Sequence, residues 1–161
     1  MKWNRIINDK IFQSKNSLAQ AIKKWKNKQE KIVFTNGCFD ILHVGHVKYL
    51  EQAKSFGDVL IIGINSDSLV KSINGENRPI NAESDRAYIL ASLEAVDYVV
   101  IFDDDTPYDL IKLINPNVLV KGSDYEGKNI IGSDLVEELK LVKYINGKST
   151  TKTIQKIQKH K

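Results

Sequence analysis

Four short apolar runs, set between stretches of helical period, constrain this chain more than anything else in it. Lys31–Thr35 (KIVFT), Val59–Ile64 (VLIIGI), Asp97–Phe102 (DYVVIF) and Val118–Lys121 (VLVK) show no polar alternation. A strand with one wet face alternates, whereas a strand apolar throughout is covered on both faces. Between these runs the apolar residues recur at helical spacing. Val47, Leu50 and Ala53 mark a helix over Val47–Phe56, and Ile89, Leu90 and Leu93 mark one over Asp85–Leu93. Thr106–Ile114 carries Pro107 just inside its start, as helices tolerate. Leu141–Ile145 reads as a fifth strand, Ser17–Asn27 as an opening helix and Ser149–Gln158 as a closing one. The alternation predicts an α/β fold: an open, doubly wound, five-stranded parallel sheet of Rossmann-like type. Such sheets bind ligands beyond the carboxyl ends of their strands. Chemistry is therefore expected in the loops after residues 35, 64, 102 and 121.

The length, 161 residues, suits one domain. Residues 1–30 read as an N-terminal helical extension and 149–160 as a C-terminal helix on that domain. No apolar run approaches the roughly 20 residues of a membrane span. A lone cysteine, Cys38, and no export signal in Met1–Asp9 predict a cytoplasmic protein. The net charge of +4 invites a nucleic-acid reading, but its distribution argues against one. Residues 1–30 hold eight basic and two acidic side chains, and residues 148–161 hold five basic and none acidic. The intervening 31–147 carries eleven basic against eighteen acidic groups, so the excess sits on two lysine-rich ends around an acidic body. Solvated helix faces explain such ends.

The loop after the first apolar run reads Thr35-Asn36-Gly37-Cys38-Phe39-Asp40-Ile41-Leu42-His43-Val44-Gly45-His46. Two of three histidines stand here, three residues apart, at a helix start. The first N–H groups of a helix lack intrahelical partners and carry the positive end of its dipole. Such a terminus binds anions, and neighbouring imidazoles add donors. The loop thus predicts a phosphate cradle. A metal site is disfavoured, since zinc wants three or four protein ligands and no further one is evident. The spacing also differs from GxGxxG and from GxxxxGK[ST]. Asp103-Asp104-Asp105 reads as dipole-favoured acids capping the helix begun at Thr106-Pro107.

These residues resemble the HxGH nucleotidyltransferase superfamily, which includes cytidylyltransferases and pantetheine-phosphate adenylyltransferase. The surroundings narrow the likeness. FTNGCFDILHVGHVKYLEQAKSFGD is followed by NSD at Asn65–Asp67, NRPIN at Asn77–Asn81, Asp85-Arg86, DTPYDLI, KGSDY at Lys121–Tyr125 and GKSTT at Gly147–Thr151. In this order, over roughly residues 16–158, they are similar to the D-glycero-β-D-manno-heptose 1-phosphate adenylyltransferases, the second half of a bifunctional ADP-heptose synthesis enzyme. Two departures stand out. Val136–Lys140 runs without the glycine turn of that group. Ser149-Thr150-Thr151 follows Asn146-Gly147-Lys148, whereas glycerol-3-phosphate cytidylyltransferases have a longer, arginine-containing approach.

The resemblance implies transfer of the adenylyl group of ATP to a heptose 1-phosphate by direct in-line attack, giving ADP-heptose and pyrophosphate. The alternative is a CTP-dependent cytidylyltransferase acting on glycerol 3-phosphate or another polyol phosphate. It implies catalytic roles for His43, His46, Arg78 and Arg86. Thr35, Asn36, Gly37, Phe39, Lys71, Lys121, Gly122, Asp124, Ser149 and Thr150 would bind the nucleotide, and Asp40, Asp67 and Tyr125 the substrate. Magnesium would arrive with ATP, held mainly by its phosphates. The partners would be small molecules rather than nucleic acid or membrane, and dimers are common in the superfamily.

Overall fold

The computed structural model describes residues 6–12, 14–143 and 149–159. Six strands form one parallel sheet: β1 (Ile11–Phe12), β2 (Ile32–Gly37), β3 (Val59–Asn65), β4 (Tyr98–Phe102), β5 (Val118–Gly122) and β6 (Glu138–Val142). Their order is β1-β4-β3-β2-β5-β6. The chain runs outward from β2 through β3 to β4, then returns to the other side of β2 as β5. The topological switch point therefore falls between β2 and β5, where Val33 pairs with Val118 and Phe34 with Leu119.

Among the described residues, the helices that connect and cover the strands include α1 (Lys15–Asn27), α2 (Val44–Lys54), α3 (Asp67–Asn74), α4 (Glu83–Ala91), α5 (Tyr108–Ile114) and α6 (Thr150–Gln158). The period of two along each strand splits the core into two layers. Val33, Ile62 and Val99 pack with Leu50 of α2 and Leu90 of α4. Phe34, Ile61 and Leu119 pack with Leu18 and Trp25 of α1 and Ile111 of α5. Burying each such side chain is worth about 1.5–3 kcal/mol. Gly57, in the turn between α2 and β3, is demanded by a close approach: a Cβ there would lie 2.6 Å from the carbonyl oxygen of Lys31.

The sheet has six strands where five were expected, because β1 was not foreseen. Ile11 and Phe12 pair with Val99 and Val100, and α1 buries Leu18, Ile22 and Trp25. Ile11–Phe12 thus supply an edge strand of this sheet and Lys15–Asn27 a helix of its core. The lysines of α1 face outward while its apolar stripe is buried. The last strand begins earlier than Leu141, at Glu138, and the run without glycine enters it over Glu138–Lys140. Tyr144 and Ile145, like Asn146–Lys148, lie outside the described residues. β6 forms one edge of the sheet, with Leu139 and Leu141 exposed at 40% and 38%. Glu138 and Lys140 alternate with them; Glu138 is gripped by Lys31 Nζ at 2.8 Å and Lys140 Nζ at 2.9 Å.

Candidate active site

The loop after β2 carries the two histidines to the carboxyl end of the sheet. His43 is the N-cap of α2, and its Nδ1 accepts from the Gly45 N–H at 3.1 Å. Its carbonyl accepts from the N–H groups of His46 and Val47. The cap thus engages the N–H groups of Gly45, His46 and Val47. Since Nδ1 of His43 is an acceptor, the proton of the neutral ring sits on Nε2. The two imidazoles stack, with centroids 3.9 Å apart.

Nδ1 of His46 is buried with no hydrogen-bond partner. Burial, then the neighbouring His43, pushes the His46 pKa down to about 4. Phe39 lies 5.3 Å from His46, ring to ring, and holds a left-handed backbone at φ 48°. Such a conformation costs a bulky residue about 1–3 kcal/mol and tends to cluster at functional sites. Gly37 permits it: a Cβ there would stand 3.1 Å from the Phe39 ring.

Across the switch point, Lys121 is buried at the end of β5, and its Nζ donates to Asn36 Oδ1. Burial lowers its pKa to about 8, against an opposing pull from Asp124. Asn36, Phe39, His46, Tyr49, Lys121, Gly122 and Tyr125 line a cavity of about 100 Å³. A second cavity, of about 140 Å³, adjoins it and adds Pro107, Asn129, Ile130 and Ile131. A larger one, about 640 Å³, opens at the other end of the strands, beside Lys31 and Asn117. The carboxyl-end rule and the histidines both favour the smaller pair.

Several expected ligand residues are bonded within the scaffold. Arg86 has no exposed side-chain surface, and its guanidinium donates to the carbonyls of Asn81, Cys38 and Asn65 and to Asp67 Oδ1. Asp40 is equally enclosed: its carboxylate accepts from Arg78 Nε at 2.6 Å and from the N–H groups of Ile80 and Asn81. Its pKa is lowered: burial alone would raise it, and these hydrogen bonds outweigh that. Asp40 is therefore a staple between two loops, and Asp67 is Arg86's partner. Thr35 is fully buried and hydrogen-bonded to Tyr49 Oη at 2.8 Å, beneath the cleft rather than in it. Ser149 caps α6 by accepting from Lys152 N–H, and Thr150 Oγ1 donates to the Ile41 carbonyl at 3.2 Å. Both hydroxyls are thus occupied by structure, although they bring α6 against the histidine loop. Lys71 and Arg78 line neither cavity; Asp124 is exposed beside Lys121. Asp103 does not cap α5; it accepts from Ser66 and Ser68. Tyr49 escaped notice, although it stands three residues after His46 on one helix face.

Residues 34–159 match the cytidylyltransferase-like family. This chain belongs to the cytidylyltransferase-like family. Its family membership makes it a nucleotidyltransferase, with the histidine loop inside the matched segment. Among relatives, the bifunctional protein HldE of Aliarcobacter butzleri is 69% identical over 137 residues, 85% of this chain and 29% of its own length. HldE of Campylobacter jejuni subsp. doylei is 51% identical over 159 residues, 99% of this chain and 34% of its own. The chain thus spans about a third of the curated relatives it matches. A lipopolysaccharide core biosynthesis protein from Thermoplasma volcanium superposes with a TM-score of 0.57 at 26% identity, covering 72% of this chain and 97% of that one. Pantoate-beta-alanine ligase from Francisella tularensis reaches 0.61 at 18% identity, covering 92% and 78%, and shares the fold. Among the described residues, no helix is long and apolar enough to cross a membrane.

Proposed function

We propose that this chain transfers the adenylyl group of ATP to a heptose 1-phosphate, releasing ADP-heptose and pyrophosphate. The observation that carries the reading is His46, stacked on His43 and lining one cleft with Lys121. The motif order and the HldE relatives support adenylyl transfer to the heptose over the cytidylyl alternative.

A phosphate oxygen of the sugar attacks the α-phosphorus, and the bond to the bridging oxygen of pyrophosphate breaks on the opposite side. Such transfer leaves the protein to position the reactants and to stabilise moving charge. His43, His46 and Lys121 stand on the triphosphate. Asn36, Gly37, Phe39 and Gly122 hold the nucleotide, and Tyr125 borders the acceptor. Arg78 keeps its charge beside the loop through Asp40. Magnesium, arriving with ATP and held mainly by its phosphates and water, would supply charge neutralisation there. The reaction belongs in the cytoplasm, with small-molecule partners, no nucleic acid, and one nucleotidyltransferase unit that the resemblance would pair as a homodimer.

The test offers purified protein ATP or CTP with heptose 1-phosphate or glycerol 3-phosphate and follows pyrophosphate release. Turnover is expected with ATP and the heptose. Turnover of CTP with glycerol 3-phosphate instead would overturn the reading.

A further inference from the structure

Among the described residues, β2 and β5 pair at Val33–Val118 and Phe34–Leu119, and the ladder between them ends there. Both strands run on, to Gly37 and Gly122, and each stays laddered to its other neighbour, β3 or β6. The parting is therefore confined to the β2–β5 gap, where the cleft opens. A carbonyl that leaves a ladder inside the core still needs a donor. At Val120 that donor is Tyr49: its phenol Oη donates to the Val120 carbonyl at 3.2 Å. With its one proton so engaged, Oη accepts from the Thr35 hydroxyl at 2.8 Å. Thr35 and Val120 have no exposed surface and Tyr49 has 6%. A phenylalanine would fill the same space, and a buried hydroxyl costs free energy unless it is bonded. The oxygen of Tyr49 is thus a bridge between two strands just where they part. The next residue on each strand is Asn36 or Lys121, whose side chains hydrogen-bond across the cleft. On α2, Tyr49 lies one turn beyond His46. Three elements of the cleft wall, α2, β2 and β5, meet on one oxygen atom.

Resting on the reading of this cleft as the nucleotide site, we propose that Tyr49 is a positioning residue whose hydroxyl spans the β2–β5 gap and fixes His46 relative to the Asn36–Lys121 pair. It acts through the residues that follow its partners on the two strands and through the helix turn before it.

Tyr49→Phe keeps the ring and removes the bridge, whereas Thr35→Val removes one arm of it. In the full chain, kcat with ATP and heptose 1-phosphate should fall in Tyr49→Phe by about tenfold or more, up to the roughly 10² that an ångström of misplacement costs. KM and the affinity for a non-hydrolysable ATP analogue should change by less than about threefold, since the loss is of transition-state geometry. The double variant should match Tyr49→Phe rather than multiply the two losses, as groups acting in one unit do. An unchanged kcat in Tyr49→Phe overturns the proposal, as do a rise in KM alone and multiplicative losses. A second signature needs no turnover. The side-chain amide resonance of Asn36 in the unliganded chain, assigned by its loss in Asn36→Asp, should shift in Tyr49→Phe, while that of Asn65 at the end of β3 stays in place. An unmoved Asn36 amide overturns the clamp. If that amide shifts but wild type forms no ADP-heptose from ATP and heptose 1-phosphate, the function reading falls while the clamp stands.

Discussion

His46 combines a place in the cleft with a ring the fold keeps neutral. His46→Ala should lower turnover by about 10²–10³, the usual cost of one preorganised donor, with the thermal midpoint nearly unchanged. The same ring should mark the pH dependence of stability. Its pKa drops from an ordinary 6.5 to about 4 on folding. Between those values the unfolded chain binds a proton that the native state refuses, so this contribution to stability is complete above pH 6.5 and lost as pH falls toward 4. Denaturant midpoints across that range should decline in wild type and decline less in His46→Ala. Arg86 belongs to a different class. Arg86→Met should cost about 3 kcal/mol in equilibrium unfolding, because it strands carbonyls of Cys38, Asn65 and Asn81. The histidine pair was legible from its spacing, and Lys121 from its place at the end of a strand. Arg86, Asp40 and Thr35 were assigned to ligands because residue type shows what a side chain can bond but not whether a loop across the site already bonds it.

At the scale of elements, the long apolar runs announced β2 to β5, since a strand buried on both faces leaves an unbroken pattern. β1 is two residues long, too short to show a period, and only its pairing with β4 makes it a strand. α3 was missed because Asp67–Asn74 opens on Ser66, whose hydroxyl accepts from Leu69 N–H, in a segment rich in turn-forming residues. α1 was foreseen as a helix but read as appended, since its lysines obscured the stripe of Leu18, Ile22 and Trp25. Its structural weight can be measured directly. Leu18→Ala, at a fully buried position, should destabilise the whole protein by about 2–5 kcal/mol in a single cooperative transition. A separately melting first segment would show that α1 does sit outside the core.

Across the whole molecule, division of labour follows from strand order. Placing β2 between β3 and β5 puts the switch point at the centre of the sheet, so the cleft draws on loops from both halves. Asn36 and Lys121 join those halves with one hydrogen bond. The acidic body between basic ends meets the cleft through a held cation, Lys121. The outer edge, β6, has another consequence. Among the described residues its outer side pairs with no strand, one face carries the exposed Leu139 and Leu141, and Lys140 between them in sequence is a charge that interrupts a run of β-formers. Edge strands of this kind template growth of sheet on sheet unless a charge interrupts them. Lys140→Leu should therefore leave the cleft and its turnover intact while light scattering rises on storage at concentrations where the wild type stays clear. That lysine would then be a guard against precipitation, contributing to the shelf life of the solution rather than to the chemistry.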